Sequence, residues 1–225
     1  MEKLLELVGV TSKYGKEIVL ERVNLSLEEG KAVVVRGRSG VGKTTLLKIA
    51  ALLKRPLGGE VIYRGVDVWK ENPKKRDELR REISYIPQFP DLIDDLSIRE
   101  NIVLPLIVRK WKEDEADERA RELMESLGIA SLAERKPKEL SGGQKQRALI
   151  ARALISNPKV IIADEPTSFL DEDNSDRVFE VLESYMTKNH AGIIISTTEL
   201  EGSGKAGWEE YHLEKGKLEK KWKEA

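Results

Sequence analysis

The sequence predicts an α/β fold with a helical lobe inserted into it. Three observations carry this. Short apolar runs rich in β-branched residues, Lys31–Arg36 (KAVVVR), Val160–Ala163 (VIIA) and Gly192–Ser196 (GIIIS), have the unbroken hydrophobicity of strands buried on both faces. Helix-compatible segments separate them in alternation. From Phe89 to about Asn157 that alternation stops and only helical patterning remains.

In chain order, Lys3–Val10 and Ile18–Leu27 read as two early strands, with a turn at Tyr14-Gly15-Lys16 between them. Tyr14 stands at a strand edge ahead of the next motif, where it either stacks on an adenine ring or is an ordinary surface tyrosine; the residues alone leave both open. After the strand at Lys31–Arg36 comes Gly37–Thr45, GRSGVGKTT, which satisfies G-x-x-x-x-G-K-[ST], the phosphate loop of nucleotide hydrolases. An apolar helix is predicted after it over Leu46–Leu53. Gly37, Gly40 and Gly42 let the backbone turn and bring its N–H groups to a polyphosphate, and Arg38, Ser39, Val41 and Thr45 complete the loop. The helix start adds unpaired N–H groups and a positive dipole end. Lys43 reaches the β- and γ-phosphates of a bound nucleotide, and the Thr44 hydroxyl ligates Mg2+.

A turn at Pro56–Gly59 follows, then short strands at Glu60–Tyr63 and Ile83–Ile86 with a charged helical stretch, Pro73–Glu82, between them. Gln88 lies just past the second strand. It could ligate Mg2+ or hold an attacking water; taken alone it reads more simply as a surface amide. In the helical stretch Ser97 and Glu100 have capping-box spacing. Ala116, Ala120, Leu123 and Leu127 share one helical face, with Gly128 as a C-cap. Leu140–Arg147 (LSGGQKQR) opens a helix running to Ile155, with Ser141 as N-cap and Gly142 and Gly143 leaving its first amides open to an anion. Those two glycines weaken a helix start with no packing gain visible in the sequence.

The strand Val160–Ala163 ends in Asp164-Glu165. Adjacent acids at the carboxyl end of a parallel strand face the ligand crevice of an open α/β sheet, and their side chains alternate, so they take different tasks. Asp164 is expected to hold Mg2+ and Glu165 to polarise the attacking water. Val178, Val181, Leu182, Tyr185 and Met186 mark the apolar face of a helix after Ser168–Asp171. Thr197-Thr198-Glu199 closes the next strand, and Trp208–Leu213 and Lys217–Lys220 form a hairpin around Gly216.

Composition narrows the field. With Lys+Arg 39 and Asp+Glu 40 the net charge of the 225 residues is -1, so nothing overall suggests a nucleic-acid partner. The runs Lys74–Arg81 and Lys215–Lys223 interleave acids and read as solvated faces. There is no cysteine, hence no thiol or cysteine–zinc chemistry. His190 and His212 are isolated and read as structural or surface residues rather than catalytic ones. No apolar run approaches the about 20 residues of a membrane span, and MEKLLELVGV lacks a signal-peptide pattern, so a cytoplasmic protein is expected. A charged fraction of 35% hints at a heat-adapted source.

Together these motifs resemble the ATP-binding-cassette ATPase family, in the family's order and over essentially the whole chain. Gly37–Thr45 is similar to its Walker A loop, Gln88 to its Q-loop, Leu140–Gln144 to its signature, Val160–Glu165 to its Walker B strand, Ser168–Asp171 to its D-loop and Tyr14 to its adenine-stacking aromatic. LSGGQ is the most specific of these. Within the family, ISYIPQFPDLIDDLSIRENIVLPL resembles the lipoprotein-release and macrolide-export type, and also the cell-division ATPase.

The resemblance implies a P-loop NTPase (RecA-like) core with an antiparallel β subdomain and an inserted helical subdomain, as one domain: residues 1–88 and 158–225 for the core, 89–157 for the helical part. It implies nucleotide contacts from Ser141, Gly142, Gly143, Gln144 and Asp171 as well. Two copies would close head to tail around ATP and Mg2+, each signature covering the triphosphate of the other, to drive a separate membrane permease from the cytoplasmic face. The permease would dock between core and helical lobe, near Gln88–Leu96. The alternative is a mechanotransducer on a membrane partner that moves no solute. A repair or translation ATPase would need a coiled coil or a second cassette, and a kinase does not account for Glu165 and LSGGQ. One position departs from the family: Thr198 stands where a histidine usually contacts the γ-phosphate, so binding is expected intact and hydrolysis slowed or differently assisted. Phe169 also replaces a usual small residue.

Overall fold

A computed structural model describes residues 3–198 and 207–221. Glu199, which follows Thr198, and Lys223, which ends the second charged run, lie outside the described residues. In chain order the strands and helices are β1 (Lys3–Tyr14), β2 (Glu17–Glu28), β3 (Ala32–Arg36), α1 (Lys43–Ala50), β4 (Gly58–Tyr63), β5 (Val66–Asp67), α2 (Pro73–Arg80), β6 (Ile83–Ile86), α3 (Ile98–Val108), α4 (Glu113–Ser126), α5 (Gly142–Leu154), β7 (Val160–Asp164), α6 (Glu172–Asn189), β8 (Gly192–Thr197), β9 (Glu209–Glu214) and β10 (Lys217–Lys221).

The strands form two sheets. One is antiparallel, ordered β2-β1-β4-β5; the other is ordered β10-β9-β3-β8-β7-β6 and is parallel apart from its β9–β10 hairpin. This is the α/β core with an antiparallel sheet that the sequence predicts. Alternation along each parallel strand splits the core in two. Val33, Val35, Val160, Ile162 and Ile194 face α1 and the antiparallel sheet. Ala32, Val34, Ile161, Ala163, Ile193 and Ile195 face the helices on the other side. Burial on both faces is why these strands read as solid apolar runs.

Helices α3, α4 and α5 come between β6 and β7, which are hydrogen-bonded neighbours. Their buried residues, Ile102, Leu106, Ala116, Ala120, Leu149 and Leu154 among them, join the sheet's second face in one cluster. The Ser97–Glu100 capping box is present in full, Ser97 N–H reaching Glu100 Oε2 at 2.6 Å and Glu100 N–H reaching Ser97 Oγ at 3.2 Å. Gly128 takes φ +66 just past α4, as a C-cap glycine does. His190 ends α6 with φ 52, and His212 lies in β9.

One helix differs from expectation. α1 ends at Ala50, not Leu53, because Leu52 turns into the left-handed region (φ 59) and the Leu53 N–H folds back on the Lys48 carbonyl at 2.9 Å. The apolar run continued past the helix because Leu52 is buried in the turn.

Candidate functional site

The parallel strands end on one side of the sheet, and the side chains beyond those ends build the site. β3 runs into the loop at Gly37. A Cβ there would stand 2.5 Å from the Leu213 carbonyl oxygen, so only glycine lets the loop pass β9. Gly42, at φ +115, starts α1 by accepting from the Leu46 N–H at 3.0 Å. This turn points Lys43 inward, where it is 4% exposed. Its ammonium donates to the Gly37 carbonyl at 2.7 Å and the Arg38 carbonyl at 3.2 Å, and pairs with Glu165 at 3.2 Å. A buried ammonium needs such partners, since leaving it unpaired costs more than the fold returns.

β7 delivers the two acids. Asp164 is 2% exposed and takes the Thr44 hydroxyl on Oδ2 at 2.7 Å. Tyr85, from β6, donates to the same oxygen at 3.4 Å. Burial, and then the Asp164 charge, push the Tyr85 hydroxyl far above its ordinary range, so it stays a donor. Glu165 has φ 45, a left-handed conformation that costs a side-chain-bearing residue about 1–3 kcal/mol. Its N–H is held by both the carbonyl (3.2 Å) and the hydroxyl (3.1 Å) of Ser196, which stabilises that turn. Gln88, just past β6, donates to Glu165 Oε2 at 2.9 Å. It is therefore joined to the acid pair and is not a lone surface amide.

A cleft of about 310 Å³ opens over these groups, lined by Tyr14, Ser39, Gly40, Gly42, Lys43, Thr44, Thr45, Gln88 and Glu165. Tyr14 stands at its rim, 78% exposed. Its donors suit a phosphate at the glycine turn, and the Thr44 and Asp164 oxygens are the hard ligands Mg2+ takes. Among the described residues no group of three or more His, Cys, Asp or Glu side chains could hold a metal alone.

Other predicted residues lie elsewhere. Ser141, Gly142, Gly143 and Gln144 do not line the cleft. Ser141 and Gln144 close a capping box on α5, with N–H to oxygen distances of 3.0 and 3.2 Å. Gly143 does have a packing reason, contrary to expectation, whereas Gly142 has room for a Cβ. A Cβ on Gly143 would stand 2.9 Å from the Leu170 side chain and 3.0 Å from the Phe169 carbonyl oxygen, and one on Gly142 would touch the Phe169 side chain at 3.7 Å. Phe169 also meets Phe89, the neighbour of Gln88, with ring centroids 5.7 Å apart. Asp171 is the N-cap of α6: its Oδ1 accepts from the Asn174 N–H at 2.9 Å, a bond that holds its carboxyl below the usual range. Thr198 follows β8, half-buried, and its carbonyl oxygen accepts from the Thr197 hydroxyl at 3.5 Å.

A larger cleft, about 630 Å³, is lined by Arg81, Leu104, Pro105, Val108, Arg109, Lys110 and Arg152. The smaller cleft brings together the glycine turn, Lys43, Gln88 and Glu165, whereas the lining of this one is basic and apolar. Arg152 ties its rim to the carbonyl and carboxylate of Asp91, within the stretch predicted to receive a partner.

Ser196, Tyr85 and Asn101 are contributors that sequence reasoning missed. A serine closing an all-isoleucine run was the one signal for Ser196. Asn101, fully buried, accepts from the Ile93 N–H at 2.7 Å and donates to the carbonyls of Ile93, Leu96 and Ser97 at 2.9–3.2 Å. It pins the segment after Gln88 to α3.

Comparison with known proteins agrees with this geometry. The model of the ABC transporter family matches residues 20–168. The lipoprotein-releasing system ATP-binding protein LolD of Hyphomonas neptunium is 39% identical over 202 residues, 88% of this chain and 89% of that one. LolD of Geobacter metallireducens is also 39% identical, over 88% and 90% of the two chains. The dimeric structure of MJ0796, a bacterial ABC transporter cassette, superposes with a TM-score of 0.89 at 32% identity, covering 96% of this chain and 97% of that chain. The post-hydrolysis dimer of the same cassette, bound to ADP and Pi, gives 0.87 at 33%, over 96% and 98%.

Proposed function

The chain belongs to the ABC transporter family as an ATP-binding, ATP-hydrolysing subunit, and on that premise we propose how its residues share the work. Two copies close around ATP and drive a separate membrane permease at the cytoplasmic face. What supports this is the grouping beside one cleft: Thr44 meets Asp164 at 2.7 Å, Gln88 and Lys43 meet Glu165 at 2.9 and 3.2 Å, and Ser196 bonds to both acids.

The loop Gly37–Thr45 cradles the phosphates with its N–H groups and Lys43, and Tyr14 stacks on the base. A triphosphate competes with Glu165 for the Lys43 ammonium, so binding frees the acid to act. Glu165 then accepts a proton from the attacking water, which Gln88 helps to orient. Thr44, Gln88 and Asp164 are the residues that would hold Mg2+, whose charge, when present, offsets that of the phosphate oxygens. Ser141–Gln144 and Asp171 belong to the facing copy's site. Thr198 donates a single neutral hydrogen bond where a charged group would serve better, so hydrolysis is slow while binding is intact.

The helical part, residues 89–157, is proposed as a subdomain of the single 1–225 domain. The permease seats in the larger cleft, whose exposed Val108 and basic rim offer an apolar floor with charged edges. The names of the two LolD relatives make a lipoprotein-releasing permease the partner to test first by co-purification.

Glu165→Gln keeps the shape and removes the base. It is expected to retain ATP binding and to lose about 100-fold or more in turnover. Turnover at the parent rate would remove Glu165 from the role of base.

A further inference from the structure

We propose that Ser196 is a positioning residue which sets both acids of the site through one hydroxyl, aligning Asp164 for a divalent cation and Glu165 for the water. The inference rests on the roles proposed above for those two acids.

Ser196 is fully buried near the end of β8, after three isoleucines. A buried hydroxyl needs a reason, and its partners here are the two acids. In the parallel β7–β8 pair Ser196 lies opposite Asp164. The Ser196 hydroxyl donates to Asp164 Oδ1 at 2.5 Å and accepts from the Glu165 N–H at 3.1 Å. Serine has one hydrogen to give; a carboxylate accepts and an amide N–H donates, so both directions are dictated. The hydroxyl cannot turn without losing one partner.

Two consequences follow for the chemistry. Asp164 Oδ1 is committed to Ser196, which leaves Oδ2 as the oxygen that meets Thr44, a residue lining the cleft, at 2.7 Å. Glu165 meanwhile holds its left-handed backbone turn with its N–H on Ser196, and from that turn its side chain reaches Gln88 and Lys43. Residues that orient a metal ligand without touching the metal matter nearly as much as the ligand.

The test compares the parent with Ser196→Ala and Ser196→Cys, the latter slightly larger and keeping a weak donor. Binding of a fluorescent ATP analogue is titrated with Mg2+ and repeated in EDTA, with kcat, KM and melting temperature measured alongside. Ser196→Ala should raise the Mg2+ concentration for half-saturation about tenfold and lower kcat about tenfold, with binding in EDTA unchanged and Ser196→Cys in between. A folded Ser196→Ala whose Mg2+ requirement and kcat stay within about twofold of the parent overturns the proposal. So does equal loss of binding with and without Mg2+, which marks a purely structural serine. If the alanine variant does not fold, the cysteine variant is judged by the same two criteria. A parent protein whose nucleotide binding ignores Mg2+ would instead overturn the reading of Asp164 on which the proposal stands.

Discussion

Lys43 holds two carbonyl oxygens and a carboxylate, all of which a phosphate can replace. Its neighbours were legible from the motif; its partnership with Glu165 was not, because 122 positions of chain separate them and only the sheet brings them together. Gln88 makes the same point. As a residue it is an amide after a strand, and it acquires a role from Glu165 at 2.9 Å. Thr198 is the position where a single change should add function. Thr198→His supplies a group able to carry charge, so kcat is expected to rise about tenfold, equivalent to about 1.4 kcal/mol in the barrier, with nucleotide affinity unchanged. Steady-state hydrolysis by the two proteins decides it: equal kcat values mean that threonine does not limit the rate.

The segment from Ile93 to Ser97 has no regular structure of its own, and Asn101 substitutes for it with four hydrogen bonds from inside α3. Truncating this fully buried amide strands the Ile93 N–H and the Leu96 carbonyl, while the Ile93 and Ser97 carbonyls keep the N–H groups of Leu96 and Asn101. Asn101→Ala is therefore expected to cost about 2–3 kcal/mol in denaturant unfolding. A loss below about 0.5 kcal/mol would show that water takes over the amide's contacts. The helix caps carry a pH dependence. Glu100 and Asp171 are each held below their ordinary range, chiefly by the backbone N–H groups of Ser97 and Asn174. A lowered folded value means the contribution is whole above the unfolded carboxylate range, about pH 4, and fades as pH falls through the folded values. Melting temperature should fall on acidification below about pH 5, and the fall should be shallower in Glu100→Gln. An identical slope in that variant would remove the cap from the account.

The signature turn and the phosphate cleft are both intact in one chain, yet Ser141–Gln144 do not line the cleft. On the proposed reading a second copy supplies that side; the similar cassette MJ0796 has a dimeric structure. Glu165→Gln, which holds ATP without consuming it, should run as a dimer on size exclusion with ATP and as a monomer with ADP. Adding Ser141→Arg should keep it monomeric with ATP bound, by placing a large cation on the paired surface. A dimer that survives that second change would mean the copies meet through another face.

The sequence by itself determined which strands are buried, where the phosphate loop lies and which acids end a core strand, because each depends on neighbours a few positions apart. Local chemistry also revealed the caps at Ser97 and Ser141. Only the tertiary structure decided that Gly143 is small so that the turn at Phe169 and Leu170 can pass. Only it decided that Ser196 faces Asp164, since that depends on which strand lies beside β7 and in what register. Pairing between strands far apart in the chain is a property of the packed sheet as a whole, and no short pattern encodes it.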